Sequence, residues 1–327
     1  MKAMNSIEKE QELALSKPDF YLRELIKRTY KMENFYSYYG EYDEVEKKSV
    51  EYLGQCRLIL DKISKDVLRD RDLLIFDWAG LGDSINIRLV VEHFLKMGRK
   101  IVWITNPIGA SLYKDDQRVQ VLPGLTIPFR DVRQPWVVYG LYLEVSRILR
   151  EVFPWIRDIL NMSFMIGVCF PKWVESLGSY ADLVFMAAGI KRDYSIKHSL
   201  IHHGKLADLA ISKSISGNYV VIEHGSITFG RLPVEKYEIL VHNLLKMGIQ
   251  SVYVGGNCDP KISCAIDGRG LSQYDTLTLI KNSMGVIGRD SGNQLLTAFL
   301  PEIPVFEVGV PAVGSMKACR YRENVFF

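Results

Sequence analysis

No apolar run in this 327-residue sequence approaches the length of a bilayer span. The opening "MKAMNSIEKEQELALSKPDF" has no apolar core of the kind a secretory leader needs, so a soluble, cytoplasmic protein is expected. Charge of one sign is also missing. With 41 Lys and Arg against 38 Asp and Glu, the formal net charge is +3, which excludes the broad basic surface of a non-specific nucleic-acid binder and leaves room for a local basic groove only. The five cysteines, Cys56, Cys169, Cys258, Cys264 and Cys319, include no CxxC pair, and the closest two are six positions apart. That spacing argues against a zinc ribbon or dithiol redox motif and fits the reduced thiols of a cytosolic chain. Internal repeats and low-complexity tracts are absent too.

What is present is apolar residue content of 48%, enough for a substantial core, in a chain whose length suits two compact domains better than one. Residues 1–70 are charged, nearly devoid of Gly and Pro, and apolar at helical intervals (Tyr52, Leu53, Cys56, Ile59, Leu60, Ile63), so a helical extension is expected there. Its aromatic cluster "NFYSYYGEY", 34–42, reads either as a platform for a sugar or base or as anchors of a helix turn on the main body.

From Asp72 onward short β-rich runs alternate with amphipathic segments. "LLIFDWA", "KIVWITN", "VQVLPG", "WVVYG", "FMIGVCF" and "DLVFMAAG" read as strands, and 85–97 and 141–152 as helices. The polar stretch "ISKSISGN", 211–218, marks a domain boundary, giving a first domain over 71–213 and a second over 214–327. Beyond it the alternation restarts with strands "YVVIEHG", "SVYVGG", "GVIG" and "IPVFEVG" and helices over 234–247, 275–282 and 292–300. Strand–helix alternation implies parallel sheets covered on both faces. The expected fold is therefore α/β, with two Rossmann-like parallel-sheet domains whose strand ends face a cleft.

Four loops at strand ends carry residues suited to chemistry. In "AGLGDS", Gly80 and Gly82 allow a tight turn and a helix begins near Asp83 or Ser84. Asp83 reads as a helix cap or as a general base; a carboxylate there would repel a pyrophosphate, and the glycine spacing is not GxGxxG. "VIEHGSITFGRLP" offers His224, Gly225, Ser226 and Arg231 as an anion site, or else a core imidazole and an Arg231–Glu235 ion pair. "GVIGRDSGNQLL" presents Asp290, Ser291, Gly292 and Asn293 at the start of a helix whose N–H groups suit a diphosphate; a plain cap by Asp290 or Ser291 is the alternative. "YVGGNCD" adds Gly255 and Gly256, and Asp267, Arg269 and Asp275 follow toward the same rim. Trp103, Trp136 and Tyr139 serve either as aromatic lining or, being in expected strands, as core.

The order and spacing of "AGLGDS", "HGS" with "RLP", "KMGIQSVYVGG", and "YDTLTLI" before "VIGRDSGN" resemble the family 9 glycosyltransferases, the group that includes the lipopolysaccharide heptosyltransferases, over about residues 72–310. The resemblance implies a GT-B fold, an acceptor-side first domain with Gly80, Gly82 and Ser84 in its loop, and a second domain taking a nucleotide-activated sugar. It implies transfer with inversion and no metal or other cofactor. Carried onto this chain it makes Asp83 the base, His224 to Ser226 and Arg231 the phosphate side, and Asp290, Ser291 and Gly292 the donor loop. Leu295 stands where that family has His, and "GRLP" where it has Lys-Arg-Trp-Pro. The chain also stops short of the closing helix that the fold usually carries. The acceptor stays open among a saccharide, a protein side chain, a small metabolite and a modified nucleobase. A nucleotide-sugar epimerase or hydrolase of the same fold, or a non-catalytic sugar-nucleotide binder or scaffold, are the alternatives.

Overall fold

The computed structural model describes residues 42–63, 68, 70–78, 80–125, 135–163, 180–223, 225–226, 230–231, 233–288, 291–308 and 325–326. The aromatic cluster at 34–41 and the run "FMIGVCF" lie outside them. Two compact units emerge: one is Met1–Ala110 with Asp116–Ser199, the other Ser111–Asp115 with Leu200–Phe327.

The first unit holds α1 (Tyr42–Asp61), β1 (Leu73–Phe76), α2 (Leu81–Lys96), β2 (Ile101–Thr105), most of α3 (Pro107–Leu112, whose last two residues group with the second unit), β3 (Gln120–Pro123), α4 (Pro135–Val152), β4 (Asp158–Asn161) and α5 (Tyr180–Ala187). Its four strands are parallel in the order β3-β2-β1-β4, with Leu73 opposite both Ile101 and Asp158. Every residue of β1 and β2 is buried, as a strand covered on both faces requires. On one face Leu74, Phe76, Val102 and Ile104 pack with Val145, Leu149 and Phe153 of the α4 region, and with Cys56 and Leu60 of α1. The end of the expected helical extension is thus built into this unit's core.

Two expected strands are helices. "WVVYG" opens α4, where Pro135 occupies the first turn that its missing N–H and fixed φ favour. "DLVFMAAG" lies in and just after α5, and its buried positions Ala181, Val184, Phe185 and Ala188 follow helical spacing. Short apolar runs carry both patterns, and here the tertiary environment selects the helix. Strand β4, only four residues long, and helix α3 were not expected.

The second unit contains 3-10 turns at Leu206–Asp208 and Ala210–Ser214, then β5 (Tyr219–Glu223), β6 (Gly225–Ser226), β7 (Gly230–Arg231), α6 (Val234–Lys246), β8 (Gln250–Gly255), β9 (Ile266–Arg269), α7 (Gln273–Lys281), β10 (Val286–Gly288), α8 (Gly292–Leu295), a 3-10 turn at Leu296–Phe299, β11 (Val305–Glu307) and β12 (Val325–Phe326). Six parallel strands run in the order β12-β11-β10-β5-β8-β9. Val220, Ile222 and Tyr253 meet Tyr237 and Val241 of α6 on one face. Residues 200–213 group with the second unit. Ser199 Oγ donates to Glu92 at 2.8 Å in the first, whereas His202 Nε2 lies 2.9 Å from Thr278 Oγ1 in the second.

Candidate active site

Asp83 sits on the first turn of α2, which begins at Leu81 rather than at 83–84. Gly80 is the N-cap and has no side chain to offer. Asp83, three residues on, reaches back and accepts the Gly80 N–H at 3.1 Å, the reciprocal half of a capping box, while remaining half-buried. Asn86 Nδ2 donates to Gly82 O at 2.9 Å and fixes the other side of the turn. Both expected roles of Asp83 are compatible with this placement, since one carboxylate has oxygens for a backbone amide and for a proton.

Beneath that turn lies a polar network absent from the sequence reading. Asp77, the residue after β1, is fully buried; Trp103 Nε1 donates to its Oδ2 at 2.7 Å and Thr105 Oγ1 to its Oδ1 at 3.1 Å. Ser84 is also fully buried, 3.4 Å from Asp77 Oδ1 and 3.0 Å from Thr105 Oγ1, and it accepts from Asn106 Nδ2 at 2.7 Å. Ser84 therefore braces the helix start from inside. Trp103 proves to be core. Trp136 and Tyr139 fall in α4, and only their backbone is described. The sequence signal for the network was a carboxylate at the end of an otherwise apolar run, "LLIFD". The same signal recurs in "YVVIE", where Glu223 ends β5 buried; a Cβ on Gly288 would come within 3.0 Å of Glu223 Cβ, so the neighbouring strand needs glycine there.

In the second unit the expected donor residues sit at the carboxyl ends of parallel strands, where α/β sheets present their loops. His224 and Asp290 lie outside the described residues. Gly225 and Ser226 pair antiparallel with Gly230 and Arg231, so this loop is a small hairpin; only its backbone is described. Gly255 ends β8, and the Gly256 N–H is taken by Asp259 Oδ2 at 2.7 Å. A Cβ on Gly255 would sit 2.5 Å from that same carboxylate oxygen, which gives Gly255 a packing reason to be glycine. Arg269 NH1 donates to Asp259 O, and its Nε and NH2 grip Asp267, each at 2.8 Å. That guanidinium holds the Asp267 carboxyl down to about 2. Asp275 lies in the first turn of α7, whose cap Ser272 accepts from Asp275 N at 3.1 Å.

Ser291 caps α8: its Oγ accepts from Gln294 N at 3.1 Å, and Gly292 and Asn293 form the half-buried first turn. The hydroxyl proton is not used in that bond. The expected helix over 292–300 is a four-residue α-helix continued by the 3-10 turn.

A second cluster, also missed, gathers on Tyr274. Its hydroxyl donates to Asp115, His203 N donates to the same carboxylate at 3.2 Å, and Lys114 Nζ stands 3.8 Å from the ring centroid. The Tyr274 hydrogen bond is the main influence holding the Asp115 carboxyl below its ordinary range. His202 stacks on Tyr274 with centroids 4.2 Å apart, and burial, aided by the Lys281 charge, lowers its pKa.

No protein-family model matches the chain, and no curated protein matches it in sequence. Solved structures do match in fold. A family 9 glycosyl transferase from Veillonella parvula is 13% identical, covers 72% of this chain and 79% of its own, and superposes with a TM-score of 0.54. The ADP-heptose lipopolysaccharide heptosyltransferase II of E. coli is 15% identical, covers 78% of this chain and 89% of its own, with a TM-score of 0.57. Two parallel α/β sheets, in the strand orders given above, are thus the GT-B fold that this chain shares with those glycosyltransferases.

Proposed function

We propose that the protein is a glycosyltransferase that moves a sugar from a nucleoside-diphosphate donor to an acceptor hydroxyl, with inversion and without a metal or other cofactor, in the cytoplasm. The observation that carries this reading is Asp83: a half-buried carboxylate at the carboxyl end of β1, set on a braced helical turn, in a chain with a glycosyltransferase fold. Asp83 takes the proton as the acceptor hydroxyl attacks the anomeric carbon. The bond to the diphosphate breaks on the opposite face, so the configuration inverts. Negative charge growing on the leaving diphosphate is stabilised by Arg231, by the Ser226 and Ser291 hydroxyls and by the amides at Gly225 and Gly292, with His224, Asp290 and Asn293 in the same loops. Gly255 and Gly256 shape the neighbouring strand end. The E. coli neighbour's name specifies ADP-heptose, so nucleoside-diphosphate sugars are the donor class to try first. Leu295, where the resembled family has His, leaves the sugar itself to the screen.

The test is a mass-spectrometric screen of nucleotide sugars for binding and turnover, followed by Asp83→Asn. Transfer should fall by about 10²–10⁴-fold, the usual contribution of a positioned base, with donor affinity retained. An unchanged transfer rate removes Asp83 from the role. Donor turnover that needs no acceptor replaces transfer with hydrolysis or epimerisation, and binding of no nucleotide sugar rejects the enzyme reading.

A further inference from the structure

At the amino end of the first sheet, away from the Asp83 turn, lies a pocket of about 590 Å3 that the transferase reading does not use. It is entirely within the first unit, and Leu73, the first residue of β1, helps line it. Its volume is within the roughly 300–1,000 Å3 typical of small-molecule sites. Phe94, Phe153 and Ile156, all buried, give it an apolar floor. Three guanidiniums, Arg99, Arg150 and Arg157, line it against a single carboxylate, Asp158.

The three arginines are not equally committed. Arg99 is locked, donating to Asp72 Oδ2 at 2.9 Å and to Asp158 Oδ2 at 2.6 Å. Arg157 is 84% exposed in its side chain and reaches Asp158 only at 3.7 Å, a separation at which an exposed pair contributes little. Arg150 is exposed and forms no ion pair among the described residues. Two planar, permanently charged donor forks therefore border a cavity of mixed polar and apolar lining whose own carboxylate is already engaged by Arg99. Such forks match the oxygens of a phosphate or carboxylate, while the aromatic and aliphatic floor takes hydrocarbon.

We propose that this pocket binds a small amphipathic anion, a phosphate or carboxylate carried on a compact apolar body, at a site separate from Asp83. The proposal stands on the first unit alone and does not depend on the transferase reading. Trp155, between the lining residues Pro154 and Ile156 and 37% exposed, supplies a fluorescence reporter.

The test uses the full chain titrated with octyl phosphate below its micelle concentration, followed by calorimetry and tryptophan emission, beside inorganic phosphate and anionic phosphatidylglycerol vesicles. Saturable one-to-one binding of octyl phosphate is expected, weakened by about tenfold in Arg150→Ala and again in Arg157→Ala, the loss of one charge-assisted contact each. Both side chains are exposed, so thermal unfolding of the variants should match the parent. Trp155→Phe should remove the emission change and keep the calorimetric binding. Affinity for octyl phosphate equal to the parent's in both arginine variants overturns the proposal. So does inorganic phosphate binding as tightly as octyl phosphate, which would mark an ion site only, or attachment to vesicles without binding of the monomeric ligand.

Discussion

Thr105→Val tests the network under the Asp83 turn most directly, because it keeps the side-chain shape and deletes one hydroxyl. That hydroxyl donates to the fully buried Asp77 at 3.1 Å and pairs with Ser84 Oγ at 3.0 Å. A hydrogen bond to a buried charge is worth about 1.5–3 kcal/mol, and Ser84, at 3.4 Å from the same carboxylate oxygen, can recover part of it. The expected loss is therefore about 2 kcal/mol, the middle of that range. No tryptophan falls in the second unit's segments, 111–115 and 200–327, whereas Trp78, Trp103 and Trp155 are in the first, so indole emission in urea follows the first unit. With a slope of about 2 kcal/mol/M the midpoint should fall by about 1 M at unchanged slope. A shift below about 0.3 M would show that Asp77 does not depend on this donor, and the account of how the turn is braced would be wrong.

The second unit contains no tryptophan, so its predictions need other probes. Gly270 has φ +76, and a Cβ there would collide with Asn257 Oδ1; Gly270→Ala should destabilise this unit by about 1–2 kcal/mol, read from tyrosine near-UV dichroism while tryptophan emission stays unchanged. His202 has a folded pKa below its ordinary 6.5, mainly through burial, so its contribution is complete above that value and is lost as the pH falls toward the folded pKa. Protection factors across 200–204 and 273–281, which divide out the base-catalysed intrinsic rate, should fall on moving from about pH 7.5 to 5.5, and the effect should vanish in His202→Gln. Burial pushes the Cys56 thiol up to about 12, whereas Cys258 and Cys264 are exposed. Iodoacetamide mapping should find both of the latter modified in the native protein and Cys56 modified only after unfolding.

Legibility tracked the range of the interaction. The buried runs of β1, β2, β5 and β8 announce themselves as nearly continuous apolar stretches that end near Asp77, Asn106, Glu223 and Gly255, because a doubly covered parallel strand has no polar face to alternate. The loop glycines and capping residues were equally visible, since turns and caps are chemistry within four residues; Asp83 and Ser291 each take up a local backbone amide. The aliphatic runs of α4 and α5 were read as strands because a short apolar segment fits both periods until its neighbours are known. Asp259 closing on Gly256 was also local, but glycine pairs at strand ends draw attention to ligands before side chains.

The sequence by itself determined that this is an α/β protein with two parallel sheets and which loops lie at strand ends, because those follow from periodicity and from residue-level backbone preference. Tertiary structure alone decided the rest. It set β4 beside β1, grouped residues 200–213 with the second unit, joined Asp77 to Trp103 and Thr105, and assembled the arginine-bordered pocket from residues 73 to 160. Each of these couples positions far apart in the chain, and the free energy that selects them comes from desolvation and pairing that exist only once the elements have packed.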